Sequence, residues 1–529
     1  MMKTLWYGGP IYTMGKEGEK VEAILVDEGR ISKVGSVKEL KSFADEEIDL
    51  KGAVLYPGFV DSHMHMIGHG ENLSRLDLSD VTSSQEMRDR LMAAVESHPQ
   101  GEWFIGEGWN ENNFSDKKIF SRYELDKISQ LPMILKRICR HAMVVNSKAL
   151  ELAGITKETP DPDGGVIKRD EKGEPTGLLM DEAMELVTKV LPDFSEEYLE
   201  RALVKTVEDL IARGITGAHT EDMGYYGHYS KPLNAFKRVI GPNRKFRAHL
   251  LRHHTVFDEM MKDGAAYNEP WVEPGPMKIF ADGSLGGRTA LLSSPYSDQP
   301  TTHGVAIHSD EELNRLVELA RRHGEAVAIH MIGDLAVEKA LDAIEAHPAP
   351  AGKRDRLIHV CILREDLVDR IEKLPVELDL QPSFVTSDFP WAADRLGEER
   401  LNWAYAWKKL LDRGLLCSGG SDSPIEDVDP LKGMYAAVTR RLPGETHEGY
   451  LPEEKLSRFE AIRLYTVGSA EAICKEDIRG SIKEGYDADF TVLDRDLFEG
   501  EPETFLHAQV KMTVIAGDIV YQNLSVLDK

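Results

Sequence analysis

Residues 55–65 read LYPGFVDSHMH, a β-rich burst that closes on the pair His63-x-His65. Side chains two apart on a strand project to the same side, so the two imidazoles face one point and form a natural chelate. Alone, such a pair reads equally well as two polar residues at a strand end. The decision lies downstream.

Seven further apolar bursts follow: GITGAHTE (214–221), FRAHLLRH (246–253), MKIFADGS (277–284), EAVAIHM (325–331), RLIHVCI (356–362), VELDLQPS (376–383) and GLLCSGGSD (414–422). Helical stretches separate them, the pattern of parallel strands joined by crossover helices. Eight such units predict an α/β fold, a (β/α)8 TIM-type barrel over 57–469, whose chemistry belongs at the C-terminal ends of its strands. The gap between the first burst and the second is too long for one crossover, so residues from about 70 to 200 are expected to form a large insertion after strand 1. Its segments GEWFIGEGWNENNF and LPMILKRICRHAMVVNSKAL read as a mixed lobe suited to covering the barrel mouth. Short strands between glycine turns fill both chain ends, which predicts a small β-sandwich domain from 1–56 and 470–529.

Bulk properties narrow the function. The chain has 529 residues, with 64 Lys plus Arg against 91 Asp plus Glu and a formal net charge of -27, which disfavours nucleic acid and anionic membranes as partners. A small-molecule substrate is the expectation, with homo-oligomerisation left open. Cys139, Cys361, Cys417 and Cys474 form no C-x-x-C pair, and no run approaches the ~18 apolar residues of a membrane span. The N-terminus, MMKTLWYGGPIYTM, does not read as a secretion signal, so a cytoplasmic location is expected.

The later bursts place Lys278, His330, His359 and Asp422 where a barrel aims groups at its rim, alongside His63 and His65. Four histidines, a lysine and an aspartate on separate strand ends make a metal site the better reading. An ammonium beside divalent cations is repelled, so Lys278 must lose its charge. The neutral amine then reacts with carbon dioxide to give an anionic carbamate able to bridge two ions. The competing reading is a plain lysine that pairs with Asp282 or touches substrate in a one-metal site.

The sequence resembles the amidohydrolase superfamily over nearly its whole length. The matching stretches are PGFVDSHMH (57–65), NSKAL (146–150), MKIFADGSLGGRTA (277–290), AIHMIGD (328–334), LIHV (357–360), LQPS (380–383), GSDSP (420–424) and EGYDAD (484–489). Within the superfamily it is similar to the amidohydrolase-3 branch, with its N-substituted formamide deformylases and proteins labelled exoenzyme regulators. The resemblance implies two divalent ions, zinc by preference, one on His63, His65 and Asp422 and the other on His330 and His359, bridged by carboxylated Lys278. It also implies hydrolysis of an amide, formamide or N-acyl C–N bond by a metal-bridging hydroxide, with Asp422 taking the proton and passing it to the leaving amine. One departure stands out: Ile358 precedes His359 where the family commonly has Glu.

Weaker substrate-contact candidates are His141, Trp109, Arg288 and Gln381, each of which also reads as a structural residue. His69, His219, His249, His253 and His254 lie near strand ends without a partner spacing to single them out. The alternatives to an amidohydrolase are a mononuclear-metal deaminase and a non-catalytic regulator or sensor on the same fold. The deaminase pattern has Glu three residues after the fifth-strand histidine, where this chain has Gly333 followed by Asp334. A degenerate sensor is expected to have lost a ligand, and none of the six is missing.

Overall fold

The computed structural model describes residues 2–99, 101–137, 142–162, 164–191 and 194–523. Its centre is an eight-stranded parallel sheet: β1 (Phe59–Met64), β2 (Ile215–Glu221), β3 (Arg247–His253), β4 (Val272–Phe280), β5 (Val327–Met331), β6 (Asp355–His359), β7 (Val376–Leu380) and β8 (Cys417–Gly419). Neighbours in space are neighbours in sequence from β1 to β8. At the remaining seam the Asp422 N–H donates to the His63 carbonyl (2.7 Å) and the His65 N–H to the Ser423 carbonyl (2.8 Å). These two bonds draw the ends of β1 and β8 together and nearly close the barrel.

Strands buried on both faces read as near-continuous apolar runs, which is why the bursts were legible. β6 and β7 are buried at every position. Two boundaries differ from the sequence reading. β4 begins at Val272 despite Pro274, Gly275 and Pro276, because a register shift against β3 between Leu250 and Arg252 absorbs the break. The first burst is split between two sheets at Gly58, where a Cβ would lie 2.4 Å from Thr216 Oγ1. Val54–Pro57 pairs antiparallel with Phe490–Leu493, whereas Phe59 opens the barrel. Thr491 ties the junction: it accepts from the Phe59 N–H (3.1 Å) and donates to the Gly214 carbonyl (2.6 Å).

The crossover helices carry ordinary end signals. Ser195 caps Glu196–Ala212, and Ser309 caps Asp310–Arg322, which opens on three acidic residues and ends on two arginines, matching the helix dipole.

Both chain ends contribute to a second eight-stranded sheet, with Thr4–Tyr12, Lys20–Asp27 and Val54–Pro57 from the front and Phe490–Leu493, Val510–Ile515 and Asp518–Gln522 from the back among its strands. Trp6, Ile11, Leu55, Phe490 and Val514 form its core. Residues Glu71–Phe194 make a separate compact unit. It contains a six-stranded sheet that includes Phe104–Trp109, Met133–Arg137 and Pro175–Asp181. No helix among the described residues is long and apolar enough to cross a membrane.

Candidate metal centre

At the C-terminal end of the barrel the Nε2 atoms of His63 and His65 lie 3.6 and 3.5 Å from Asp422 Oδ1. Ligand atoms of these three residues fall within 4.8 Å of one another. Lys278 Nζ on β4 is 3.1 Å from His63 Nε2. The His359 ring lies 5.6 Å from that of His63 and 4.5 Å from that of His330, centroid to centroid. The six side chains read from five strand ends, with His63 and His65 sharing β1, thus meet in one place.

Partners on the far side of the His65, His359 and His330 rings set which nitrogen faces the centre, as oriented ligands require, whereas His63 Nδ1 has no such partner. His65 Nδ1 is 2.6 Å from the Glu221 carbonyl, an acceptor, so that nitrogen carries a proton and Nε2 is the nitrogen turned towards Asp422. His359 Nδ1 is 2.7 Å from Gln381 Oε1, which likewise leaves Nε2 free. His330 is held the other way, with Nε2 3.0 Å from the Gly283 carbonyl and Nδ1 free. Phe280 and Phe384 lie beside the His330 and His359 rings at centroid distances of 5.2 and 5.7 Å.

The backbone holds two ligands in a region that L-residues rarely adopt: φ is +76° at His359 and +56° at Asp422. Such conformations cost about 1–3 kcal/mol each and persist where surrounding contacts over-determine them. Asp61 is one such contact. Its carboxylate accepts the His63 N–H (3.0 Å) and the Ser421 N–H (3.2 Å), joining β1 to the segment after β8. Gly420 sits so close that a Cβ would lie 2.5 Å from His63 N.

Electrostatics favours donors over charged imidazoles. Burial first, then the charge of Lys278 and neighbouring histidines, pushes His63 well below the usual histidine range. His330 and His359 are lowered in the same way. Burial also opposes charge on His65, yet hydrogen bonding and attraction from Asp422 raise it overall. Burial works to raise Asp422, but its His65 bond and the positive neighbours hold it below the ordinary carboxylate range. Burial brings the Lys278 ammonium down to about 8. Three neutral imidazoles, a His65 that shares its proton with an ionised carboxylate, and an easily neutralised lysine are a donor set suited to divalent ions.

A family model described as "Amidohydrolase family" matches residues 46–521. The chain belongs to the amidohydrolase family. It is 51% identical to the protein YtcJ of Bacillus subtilis (strain 168), covering 98% of this chain and 100% of that one. It is 29% identical to an N-substituted formamide deformylase of Arthrobacter pascens, covering 97% of each. Among solved structures, an uncharacterized metal-dependent hydrolase from Pyrococcus furiosus superposes with a TM-score of 0.80 at 31% identity, covering 94% of this chain and 100% of that one.

The structure places three of the four weaker candidates. Trp109 is a core residue of the inserted unit and no pocket wall: it is 1% exposed and its indole N–H donates to the Leu135 carbonyl (2.9 Å). Arg288 is committed to Asp298 through two bonds of 3.2 and 2.7 Å, the structural alternative to a substrate carboxylate. Gln381 is buried behind His359, with its Nε2 donating to the Asp379 carbonyl (3.2 Å), so it orients a ligand and does not face substrate. His141 lies outside the described residues. Asp282 is no partner for Lys278, since it accepts the N–H groups of Leu291, Ile332 and Gly333 at 2.8, 3.0 and 2.8 Å. Ile358, at the position of the missing Glu, packs with Leu251 and Ala328. Asp61 and Glu221 escaped the sequence reading; each sits within a quoted burst, but residue type alone does not tell an inward acid from an outward one.

Gln381→Leu removes the acceptor that holds His359 while nearly conserving volume. The expected result is a 10–100-fold loss of metal affinity, the usual cost of removing a group behind a ligand, with the thermal midpoint of the metal-free protein little changed. Chelator competition checks it.

Proposed function

We propose that this member of the amidohydrolase family is a metal-dependent hydrolase that cleaves the C–N bond of a small N-acyl or N-formyl compound. The reading includes two divalent ions, zinc by preference, and a carboxylated Lys278. One observation carries it: the donor atoms of His63, His65 and Asp422 converge within 4.8 Å at the barrel rim, with Lys278 Nζ 3.1 Å from His63. Kinship with a formamide deformylase supports the bond class, and a net charge of -27 favours a small substrate over a polyanion.

His63, His65 and Asp422 would hold one ion, His330 and His359 the other, and Lys278 would join them. Bound there, a divalent ion supplies Lewis acidity, polarising a carbonyl and acidifying a water. His63, His330 and His359, kept neutral by burial, would ligate without first losing a proton, whereas His65, raised by Asp422, would first give one up. Asp422, ionised at neutral pH, accepts the proton of the attacking water on its carboxylate and returns it to the leaving nitrogen; as that N–H bond forms, the C–N bond breaks. Lys278 would become anionic when its neutral amine forms an N–C bond to carbon dioxide and releases one proton to solvent, keeping one N–H.

The sign of the Lys278 shift gives a pH dependence. The reactive neutral amine grows as pH rises through about 8 and is lost below it. Reconstitution of metal-free protein at equal dissolved carbon dioxide is therefore expected to run roughly tenfold faster at about pH 8.5 than at about pH 6.5. A flat profile removes the carbamate.

The deciding experiment is an assay of zinc- or manganese-loaded protein against a panel of N-formyl and N-acyl amines, reading amine release. Turnover in this panel supports the proposal. Ammonia release from amino-heterocycles instead points to a deaminase, and no turnover with any metal points to a sensor.

A further inference from the structure

Glu221 closes β2, and its side chain is 0% exposed. Its backbone is already part of the centre, because its carbonyl accepts the Nδ1–H of His65 at 2.6 Å. Its carboxylate is unaccounted for: neither Oε1 nor Oε2 has a hydrogen-bond partner. A buried carboxylate with both oxygens unsatisfied is among the costliest arrangements in a protein interior, and native structures avoid it unless a cation or a donor is at hand.

The surroundings point to a cation. Glu221 is paired in register with Leu251 of β3, which packs against Ala328 of β5 and Ile358 of β6 across the barrel interior. Two residues earlier on the same face, the His219 ring lies 5.3 Å from that of His249 on β3. Thr220, on the opposite face, is bonded to the backbone of Met66 (2.8 Å). The neighbouring acid, Asp222, is occupied by the Ile67 N–H (3.2 Å) and the Thr220 hydroxyl (2.6 Å). Burial opposes charge on Glu221, Asp222 adds to that, and the attractive charges it feels are those of Lys278 and His65, both members of the proposed centre. Lys278 Nζ, however, makes its contact with His63 and not with Glu221.

We propose that Glu221 supplies a further carboxylate ligand to the metal centre built on His63, His65, Asp422 and Lys278. The inference rests on the metal-dependent reading above. The tight donor group is His63, His65 and Asp422, so Glu221 joins it by rotating its side chain over a backbone already fixed to His65. Charge balance supports the assignment. Two divalent ions bring four positive charges, against which Asp422 and a carboxylated Lys278 set only two. Burying that excess is costly, and Glu221 halves it.

The test is a crystal structure of the wild-type protein grown with Mn2+ or Zn2+, with ions located by anomalous scattering. The expected result is a Glu221 oxygen at about 2.0–2.2 Å from an ion. A metal-bound structure in which Glu221 is out of ligand range, or hydrogen-bonded to an unmodified Lys278 ammonium, overturns the proposal. Metal content and chelator competition of Glu221→Gln give a second readout: at least a tenfold loss of affinity is expected, and unchanged affinity and stoichiometry in a folded variant overturns it. Should the variant not fold, the wild-type structure decides. The two readings fail separately: a wild-type protein that takes up no metal sinks the proposed function, whereas wild type and Glu221→Gln binding metal equally well sinks this inference only.

Discussion

Asp422→Asn is expected to lower kcat by about 10³-fold while leaving the protein folded and metal-bound, a loss within the 10²–10⁴ range typical of a general acid–base group. At 25 °C that is about 4 kcal/mol of transition-state stabilisation. The geometry separates the two jobs of this residue. An asparagine keeps the backbone N–H bond to the His63 carbonyl, so the β1–β8 seam stays closed, and it keeps one oxygen near His63 and His65. What it lacks is a carboxylate to take a proton, which in the native chain is held ionised by His65 and the surrounding positive groups despite its burial. KM is expected to change only a few-fold, because the effect falls on the step and not on binding. The measurement is steady-state kinetics with metal analysis and a thermal midpoint on the same preparation. Near-normal kcat with full metal removes Asp422 from the chemistry, and loss of metal in parallel with activity makes it a ligand first.

Lys278→Met is the second large effect, and its signature differs. Methionine nearly conserves volume and takes an ammonium out of a fully buried position, so the metal-free variant is expected to melt at or above the wild-type temperature. On the proposed two-ion reading, metal content is expected to fall from two ions per chain to one or none, and kcat by at least about 10³-fold, since the proposed bridging anion would disappear along with part of the charge balance. Wild type is expected to show elongated density on Lys278, or a mass increase of one carbon dioxide under native conditions, which the variant lacks. Full metal content in Lys278→Met sinks the bridging role. Unextended density on Lys278 in a metal-loaded crystal sinks the carbamate.

How far the sequence reaches is best judged residue by residue. The barrel was legible because parallel strands buried on both faces appear as short apolar bursts, and because eight recur with helix-length spacing between them. The six ligand candidates were legible because rare chemistry, His, Lys and Asp, stands at the ends of those bursts, where a barrel gathers it. Chain spacing therefore pointed to the barrel and to the residue types gathered at its rim.

Other features depend on contacts between residues far apart in the chain. Gly58 divides one burst between two sheets where Thr216 presses against it and Thr491 holds the next backbone N–H, that of Phe59. Gln381 and Trp109 look like contact residues by type, yet one serves His359 and the other is core. Which nitrogen of each histidine is free depends on carbonyls and an amide as distant as Glu221 is from His65, 156 residues on. Glu221 itself stands beside Asp222 as one acid of two, and only the folded barrel leaves the first without a partner and gives the second its donors. Strand pattern decides what chemistry arrives at the rim; the nearly closed barrel, by bringing distant strand ends together, decides which groups are satisfied there and which remain free to bind.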